Sequence, residues 1–281
     1  MPITLRRSPF SPEIQPGAVY ASDSFKEGLR RLNYLVENRG IGVVTGDVGV
    51  GKSTLVRAFT SRLAAGSFTV LYTIPPAPRS PLRPLVEDLL TQLGEPLPFN
   101  NAAKGLQLLK GALSSCYERN RQPCVIVDDA PLLDPKGLSM FKVLANYEMD
   151  SKLPLSLLLV GSPQLLRLLA MRELEDIRQR LLFAYQLRSL RKEEVEDYIK
   201  TRLKAAGQEA ALFPRDVIDE LYFHTQGNPR AINQLANLCL MAAAAERKDL
   251  VDRNCLLQAV AEVNATGLSA TADNQSEQKG S

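Results

Sequence analysis

The segment VVTGDVGVGKSTLV, from Val43 to Val56, constrains this chain more than any other. An apolar stretch typical of a buried strand runs into a glycine-rich turn that ends in Lys52 and Ser53, and a helical pattern follows. The turn fits GxxxxGK[ST], in which glycines let backbone N–H groups surround a polyphosphate at the start of a helix. A glycine-rich turn with a chance lysine is the alternative, but the strand–loop–helix order favours a nucleoside triphosphate site.

The predicted phosphate site has distinct parts. Lys52 is expected to reach the outer phosphates as a point charge, and Ser53 to offer its hydroxyl to Mg²⁺. The backbone of the turn supplies the other contacts. The full predicted set of nucleotide-binding residues in this segment is Gly46, Asp47, Val48, Gly49, Val50, Gly51, Lys52, Ser53 and Thr54.

A second segment, QPCVIVDDA, is an apolar strand that ends in two aspartates. Asp128 is placed like a Walker B carboxylate, which holds Mg²⁺ directly or through water. Asp129 stands where many ATPases carry a glutamate that polarises the attacking water. Because aspartate is shorter by one methylene, we expect active but slow hydrolysis. Two aspartates that only make a strand end soluble are the alternative.

The pattern along the chain indicates the fold class. Apolar strands such as LSLLLVG alternate with helices, which predicts a doubly wound α/β domain with a parallel sheet. Such sheets place ligands at the carboxyl ends of their strands, where the P-loop, Asp128 and Ser162 all lie. Only helical patterns follow FAYQLRSL. The predicted divisions are an N-terminal segment and helix at 1–39, an α/β P-loop core at 40–188, a small helical lid at 189–263, and a disordered tail at 264–281.

Composition limits the function classes. Of the 281 residues, 45% are hydrophobic and 23% charged, as in a soluble globular protein. No apolar run approaches the roughly 20 residues that span a bilayer, and no signal peptide is evident, so we expect no membrane segment and a cytoplasmic location. The four cysteines lack CxxC spacing and there is one histidine, which argues against a Cys/His metal site. A net charge of +3 is too small to decide on nucleic-acid binding.

Five segments in order carry a resemblance to a known family: TGDVGVGKST, VIVDDA, LLLVGSPQLLRLL, ELEDIRQRL and TQGNPRAINQLANLCL. From Phe10 to Val263 the chain resembles the AAA+ ATPases of the ExeA or general-secretion-protein-A type. The resemblance implies ATP hydrolysis, with the segments acting as Walker A, Walker B, sensor 1, arginine finger and sensor 2 respectively.

The resemblance assigns roles to three polar residues of the core. Ser162 stands at the sensor 1 position, where the family often has glutamine and where serine can still bind the nucleophilic water or γ-phosphate. Arg178 and Arg180 are candidates for an arginine finger that one subunit supplies to its neighbour's γ-phosphate. An exposed charge at a helix end is the alternative for either arginine. A finger acting in trans implies a homo-oligomer, either a ring or a helical filament.

The resemblance also covers the helical region and the N-terminal segment. Arg230 opens a helix in GNPRAI and resembles sensor 2, which would contact the γ-phosphate from the same chain. A cation at a helix N-terminus opposes the dipole and so calls for a functional reason. Phe10 and Tyr20 fall in the segment that lines the adenine pocket in the family, although either could simply pack the core.

The output of the ATPase has competing interpretations. In the secretion-type relatives the ATPase is joined to a membrane helix and a peptidoglycan-binding region, and we expect neither here. Chains of this length resemble the IstB, MuB and TniB helper ATPases of DNA transposition. The sequence therefore favours a DNA-binding helper in DNA recombination, with duplex DNA and a transposase as partners. A remodelling ATPase of secretion or envelope assembly, and a signalling or replication-initiation switch, are the alternatives.

Candidate DNA contacts lie in two loops that follow strands. The loop PPAPRSPLRPL contains Arg79 and Arg83, and DPKGLSMFK contributes Lys136 and Lys142. In a ring or filament these loops could track phosphates, which gives salt-dependent binding with little sequence preference. Solvated surface charge is the alternative for each residue. No helix-turn-helix or zinc-finger module is visible, which argues against sequence-specific recognition.

Overall fold

A computed structural model describes residues 8–11, 19–96, 101–139, 141–145, 155–208 and 211–266. The contacts among these residues divide the chain into two compact units. The α/β unit contains Phe25–Val48 and Lys52–Leu187. The helical unit gathers the described residues of Met1–Ser24, Gly49–Gly51 and Arg188–Ser281.

Among the described residues, five strands form one parallel sheet in the α/β unit, in the order β2-β3-β4-β1-β5. They are β1 (Ile41–Thr45), β2 (Phe68–Thr73), β3 (Gln122–Val127), β4 (Ser156–Gly161) and β5 (Leu181–Gln186). Strands β1 and β4 are buried along their whole length. Their unbroken apolar runs therefore belong to a sheet covered on both faces, and the predicted doubly wound parallel sheet is confirmed.

Helices connect and cover the strands of this unit. They are α1 (Asp23–Asn38), α2 (Lys52–Thr60), α3 (Leu82–Gln92), α4 (Ala102–Glu118), α5 (Pro135–Ser139), α6 (Phe141–Ala145), α7 (Gln164–Leu169) and α8 (Glu175–Arg178). One hydrophobic core joins them to the sheet, with Leu89 and Leu109 packed in the same cluster as Val125, Val127 and Leu159. This core fixes the carboxyl ends of the central strands, where the predicted site residues lie.

Helix α2 is shorter than its sequence pattern predicts. It ends at Thr60, whereas the apolar pattern extends to Gly66. The hydroxyls of Thr60 and Ser61 donate to the carbonyl oxygens of Arg57 and Ala58, at 3.1 Å each. Because these side chains compete for carbonyls that the next turn would use, they favour the end of the helix at this point.

The helical unit contains four further helices in its described part. They are α9 (Lys192–Ala205), α10 (Arg215–Thr225), α11 (Pro229–Ala245) and α12 (Arg253–Ala265). Leu221, Ile232 and Ala236 are buried in its core. Helix α12 extends two residues beyond the predicted boundary at 263, and residues 267–281 of the predicted tail lie outside the described residues.

The structure also bears on membrane-spanning helices and on the state of the cysteines. No helix in the described ranges is long and apolar enough to cross a membrane. The four cysteines form no disulfide; Cys124, Cys239 and Cys255 are buried and Cys116 is half-buried.

Candidate nucleotide-binding site

The P-loop connects the end of β1 to the start of α2. Gly49 and Gly51 have φ angles of 86° and 104°, in the left-handed region that glycine adopts at little cost. The Nζ atom of Lys52 donates to the carbonyl oxygens of Gly46, at 2.7 Å, and Asp47, at 3.0 Å. The ammonium group therefore lies against the loop, and a phosphate group would compete with these two carbonyls for its protons.

Ser53 and Asp128, the two predicted Mg²⁺ ligands, are in contact. Asp128 directly follows β3 and is 5% exposed. Its Oδ2 atom accepts a hydrogen bond from the Ser53 hydroxyl at 3.2 Å, and its Oδ1 atom accepts from the Asp129 N–H at 2.9 Å. A hydroxyl and a carboxylate beside a phosphate-binding loop are the oxygen ligands that Mg²⁺ prefers, so the residues present fit a magnesium ion.

Tyr72 is a further member of this cluster, and no sequence motif predicts it. It lies near the end of β2, which pairs with β3, and its hydroxyl donates to Asp128 Oδ2 at 2.8 Å. Burial and the hydrogen bond to Asp128 raise the pKa of Tyr72 above the usual value of a tyrosine. The phenol therefore stays protonated near neutral pH and acts as a donor. The order of strands in the sheet is needed to find it, and no local motif gives that order.

Asp129 begins a short 3₁₀ turn at Ala130–Leu132. Its backbone has φ 48°, a left-handed conformation that aspartate tolerates better than most residues, and its side chain is exposed. Its backbone N–H holds Asp128, as described above. The role of its carboxylate in polarising water stays a prediction.

Ser162 follows β4, the strand between β3 and β1. It is half-buried at the same edge of the sheet as Asp128, because all these strands are parallel. Its carbonyl oxygen accepts from the N–H of Leu165 at 3.0 Å, at the start of α7. The location suits a sensor 1 residue, and the sensor role itself stays a prediction.

The two arginine-finger candidates lie at the end of α8. The Arg178 guanidinium is exposed, pairs with Glu175 at 3.2 Å and donates to the carbonyl oxygen of Ala170 at 3.4 Å. Arg180 is half-buried immediately before β5. Arg178 is the last residue of α8 and Arg180 follows it by two residues, and the assignment of a finger to either one stays a prediction.

Arg230 lies in the first turn of α11. The side chain of Asn228 caps this helix and accepts from the N–H of Arg230 at 3.0 Å. The same N–H donates to the carbonyl oxygen of Gly49 at 3.2 Å. A Cβ atom on Gly49 would lie 2.6 Å from Asn228 Oδ1 and from Arg230 Cβ. Within the helical unit, therefore, the P-loop residue Gly49 must be a glycine to approach α11 so closely. The Arg230 side chain is exposed, and its sensor 2 role stays a prediction.

The predicted adenine contacts pack within the helical unit. Phe10 is 4% exposed and meets Phe213 edge to face, with ring centroids 6.0 Å apart. Tyr20 is half-buried and meets Tyr198 in the same way at 6.0 Å. Burial, followed by the negative charge of Glu194, raises the pKa of Tyr20. Phe10 is packed in the core of the helical unit, and the adenine contact of both residues stays a prediction.

Two of the four candidate DNA-binding residues are paired with carboxylates. Arg83 Nε lies 2.9 Å from Glu87, and Lys142 Nζ lies 3.3 Å from Asp176. All four side chains are solvent-exposed in part, so these pairs are weak. Even so, they reduce the positive charge that Arg83 and Lys142 offer to a phosphate.

Arg79 and Lys136, in contrast, are exposed and have no ion pair within the described ranges. The loops that carry them are joined through Ser80. The Ser80 N–H donates to the carbonyl oxygen of Leu132 at 2.9 Å, and Ser80 forms an isolated parallel bridge with Leu133. The structure therefore connects the two basic loops that the sequence could only treat separately.

Comparisons with known proteins match the part of the chain that contains these residues. Residues 35–169, which contain β1, the P-loop and Asp128, match a family described as AAA domain. General secretion pathway protein A of Aeromonas hydrophila is 32% identical over 249 residues. The match covers 86% of this chain and 44% of that protein, so the chain spans less than half the length of this relative.

Solved structures extend the likeness to the fold. Cdc6p from Pyrobaculum aerophilum has a TM-score of 0.68 and 18% identity, covering 91% of this chain and 70% of that one. Orc1 of Aeropyrum pernix, solved in complex with DNA, has a TM-score of 0.66 and 17% identity, covering 92% of this chain and 70% of that one. At such identities the likeness establishes the fold alone. Residues 35–169 therefore match the AAA domain, the chain has the AAA+ P-loop fold, and most of its length is similar to part of General secretion pathway protein A.

Proposed function

We propose that this protein is an oligomerising AAA+ ATPase that binds duplex DNA without strong sequence specificity and assists a transposase in DNA transposition. The nucleotide part is supported by the contact between Ser53 and Asp128 beside a P-loop whose lysine is in place. The DNA part is supported by the joined basic loops of Arg79 and Lys136. This connection between the loops is the observation that carries the proposal.

The nucleotide chemistry follows from the residues at the strand ends. Backbone N–H groups of the P-loop and Lys52 bind the phosphates, while Ser53 and Asp128 would hold Mg²⁺. The ion would neutralise charge on the β- and γ-phosphate oxygens. Asp129 accepts a proton from, or orients, the attacking water, and Ser162 donates a hydrogen bond to that water or to the γ-phosphate.

The short side chain of Asp129 leads to a prediction about rate. Since aspartate reaches less far than glutamate toward the water, we expect the isolated protein to hydrolyse ATP below about 1 s⁻¹, at the low end of ordinary enzyme turnover. Phosphate release at saturating Mg·ATP measures this rate, with and without DNA. Turnover of many ATP molecules per second by the protein alone would contradict the prediction.

The proposed arginine finger requires the protein to assemble into an oligomer. An arginine at 178 or 180 of one subunit completes the site of the next, so hydrolysis per subunit rises with protein concentration. Ring and helical filament both satisfy this requirement. Electron microscopy with DNA and a non-hydrolysable ATP analogue distinguishes them, and a protein that remains monomeric with both ligands saturating would contradict the proposal.

Charge reversal in the basic loops tests DNA binding. When a phosphate contact is lost, fewer counterions are released on binding and the gain in affinity from their release is smaller. We therefore expect Arg79→Glu and Lys136→Glu each to lower affinity for random duplex DNA about tenfold at moderate salt. The slope of log affinity against log salt should fall by about 0.9 per contact. Fluorescence anisotropy with ATP present measures both quantities.

The matched control is Lys104→Glu, which reverses an exposed charge on α4 of the same unit. We expect it to bind DNA like the unsubstituted protein. Equal losses in the control and in the loop variants would indicate an effect of net charge alone. No loss in the Arg79→Glu, Lys136→Glu double variant would remove the two loops from the proposed DNA surface.

The transposition part requires a separate measurement. A strand-transfer assay with the transposase encoded nearest the gene should show ATP-dependent stimulation or redirection of insertion. Stimulation that is lost in the double loop variant supports the complete proposal. Binding to DNA without any effect on the transposase would leave a DNA-bound ATPase of another purpose.

A remodelling ATPase of secretion or envelope assembly is the second candidate. It is favoured by the 32% identity to General secretion pathway protein A of Aeromonas hydrophila. The two functions differ in their response to random duplex DNA. ATP-dependent oligomers that form only when DNA is present favour the DNA helper, whereas oligomers that ignore DNA favour the remodelling ATPase.

A further inference from the structure

The Asp128 carboxylate is held by three donors from three parts of the α/β unit. The Ser53 hydroxyl comes from α2, the Asp129 N–H from the turn after β3, and the Tyr72 hydroxyl from β2. The Tyr72 bond, at 2.8 Å, is the shortest of the three. Tyr72 contributes to none of the motifs in the sequence, so this bond has no assigned purpose.

The backbone of Tyr72 is itself fixed in an unusual way. Strand β2 is at the edge of the described sheet. The Gln92 side chain at the end of α3 pairs with this edge: its Nε2 donates to the Tyr72 carbonyl at 2.9 Å, and its Oε1 accepts from the Tyr72 N–H at 3.2 Å. Asp88 also accepts from Gln92 Nε2, at 3.0 Å. One amide side chain therefore replaces a neighbouring strand at this single residue.

We propose that Tyr72, held by Gln92, is a positioning residue that orients the Asp128 carboxylate for Mg²⁺. An ionised carboxylate has about four acceptor positions, and three of them are taken by the described donors. The remaining position is left for the metal or its bound water. Outer hydrogen bonds of this kind orient a metal ligand and tune its affinity.

A structural role in packing does not account for the bond. Tyr72 is 40% exposed, so its hydroxyl is not required to fill the core. Tyr72→Phe removes one oxygen atom and keeps the ring. Ser53 still donates to Oδ2 in that variant, but the carboxylate loses its shortest contact and a constraint on its rotation.

Binding of a fluorescent ATP analogue tests the inference, which rests on the Mg·ATP part of the proposed function and not on DNA. Affinity is measured first in EDTA and then as a function of Mg²⁺ concentration. For Tyr72→Phe we expect about tenfold more Mg²⁺ to be required for half of the Mg²⁺-dependent gain in affinity. Affinity in EDTA should be unchanged, because the P-loop and Lys52 are intact.

Tyr34→Phe is the matched control, since it removes the hydroxyl of a tyrosine that is 50% exposed on α1 of the same unit. It should behave like the unsubstituted protein. Gln92→Leu should raise the Mg²⁺ requirement in the same direction as Tyr72→Phe, and the double variant should be no worse than Tyr72→Phe alone, because both residues act through one hydroxyl.

The outcomes separate this inference from the broader proposal. If the unsubstituted protein gains affinity with Mg²⁺ and Tyr72→Phe has the same Mg²⁺ requirement, the positioning role is wrong while the magnesium site stands. Equal loss of affinity in EDTA and in Mg²⁺ would also overturn it, since that result indicates a general disturbance of the loop. If the unsubstituted protein gains nothing with Mg²⁺, the magnesium site and the role of Tyr72 both fail.

Discussion

Lys52→Ala is expected to lower ATP affinity by roughly 100-fold, because it removes a charged donor from the outer phosphates. Hydrogen bonds to charged groups contribute about 1.5–3 kcal/mol each, and 1.4 kcal/mol corresponds to tenfold in affinity. Hydrolysis should fall by a further factor of about 10²–10³ at saturating ATP, because Lys52 also stabilises charge that develops on the γ-phosphoryl group. Calorimetric titration with a non-hydrolysable ATP analogue gives the first quantity and phosphate release gives the second.

The structure explains why this change should leave folding largely intact. In the described structure Lys52 is half-buried and lies outside the hydrophobic core, and its Nζ donates to the Gly46 and Asp47 carbonyls of its own loop. Alanine also favours the helix that begins at residue 52. Lys104→Ala, at an exposed position on α4, is the control and should keep full affinity. Normal ATP binding by Lys52→Ala would remove the P-loop assignment.

The fold was largely predictable from local patterns. The runs in β1, β3 and β4 are apolar without alternation, which requires a sheet covered on both faces. The early end of α2 was missed because the apolar period continues beyond Thr60. A helix can end without a glycine or proline when hydroxyl groups donate to carbonyl oxygens of the preceding turn. The spacing of apolar residues gives no sign of these hydrogen bonds.

The candidate site also contains some contacts that the sequence predicts and others that it does not. Contact between Ser53 and Asp128 follows from two motifs, each with a recognisable spacing. Tyr72 could not be predicted, since its approach to Asp128 depends on β2 lying next to β3, which is a property of sheet order. The contact of Gln92 with Tyr72 could not be predicted either, because an amide that pairs with a strand edge leaves no pattern in the sequence.

The ion pairs of the candidate DNA-binding residues were predictable only in part. The pair between Arg83 and Glu87 has the spacing of neighbours on a helix and could have been predicted from the sequence. The pair between Lys142 and Asp176 joins distant segments and could not. Arg79 and Lys136 therefore emerge as the stronger candidates for phosphate contact only when the folded chain is considered.

Gly227→Ala is expected to lower the free energy of unfolding of the helical unit by about 3 kcal/mol. Gly227 has φ 72°, where a side chain costs about 1 kcal/mol. A Cβ atom there would lie 1.9 Å from the Leu190 carbonyl oxygen, which is a backbone atom and cannot rotate away. The segment would have to move, and with it the hydrogen bond from the Leu190 N–H to the Gly227 carbonyl at 2.9 Å. Because Asn228 and Arg230 follow directly, the N-terminus of α11 should shift as well.

Gly207→Ala separates the two causes. Gly207 has φ 79°, nearly the same backbone conformation in the same unit, but a Cβ atom there meets no atom of the described residues within 4 Å. This control should lose only the conformational part, about 1 kcal/mol, so the difference between the two variants measures the clash with Leu190. Urea unfolding of the full chain followed by circular dichroism gives both values. Equal losses in the two variants would mean that the contact between residues 190 and 227 relaxes without cost, and that Gly227 is required for its backbone angle alone.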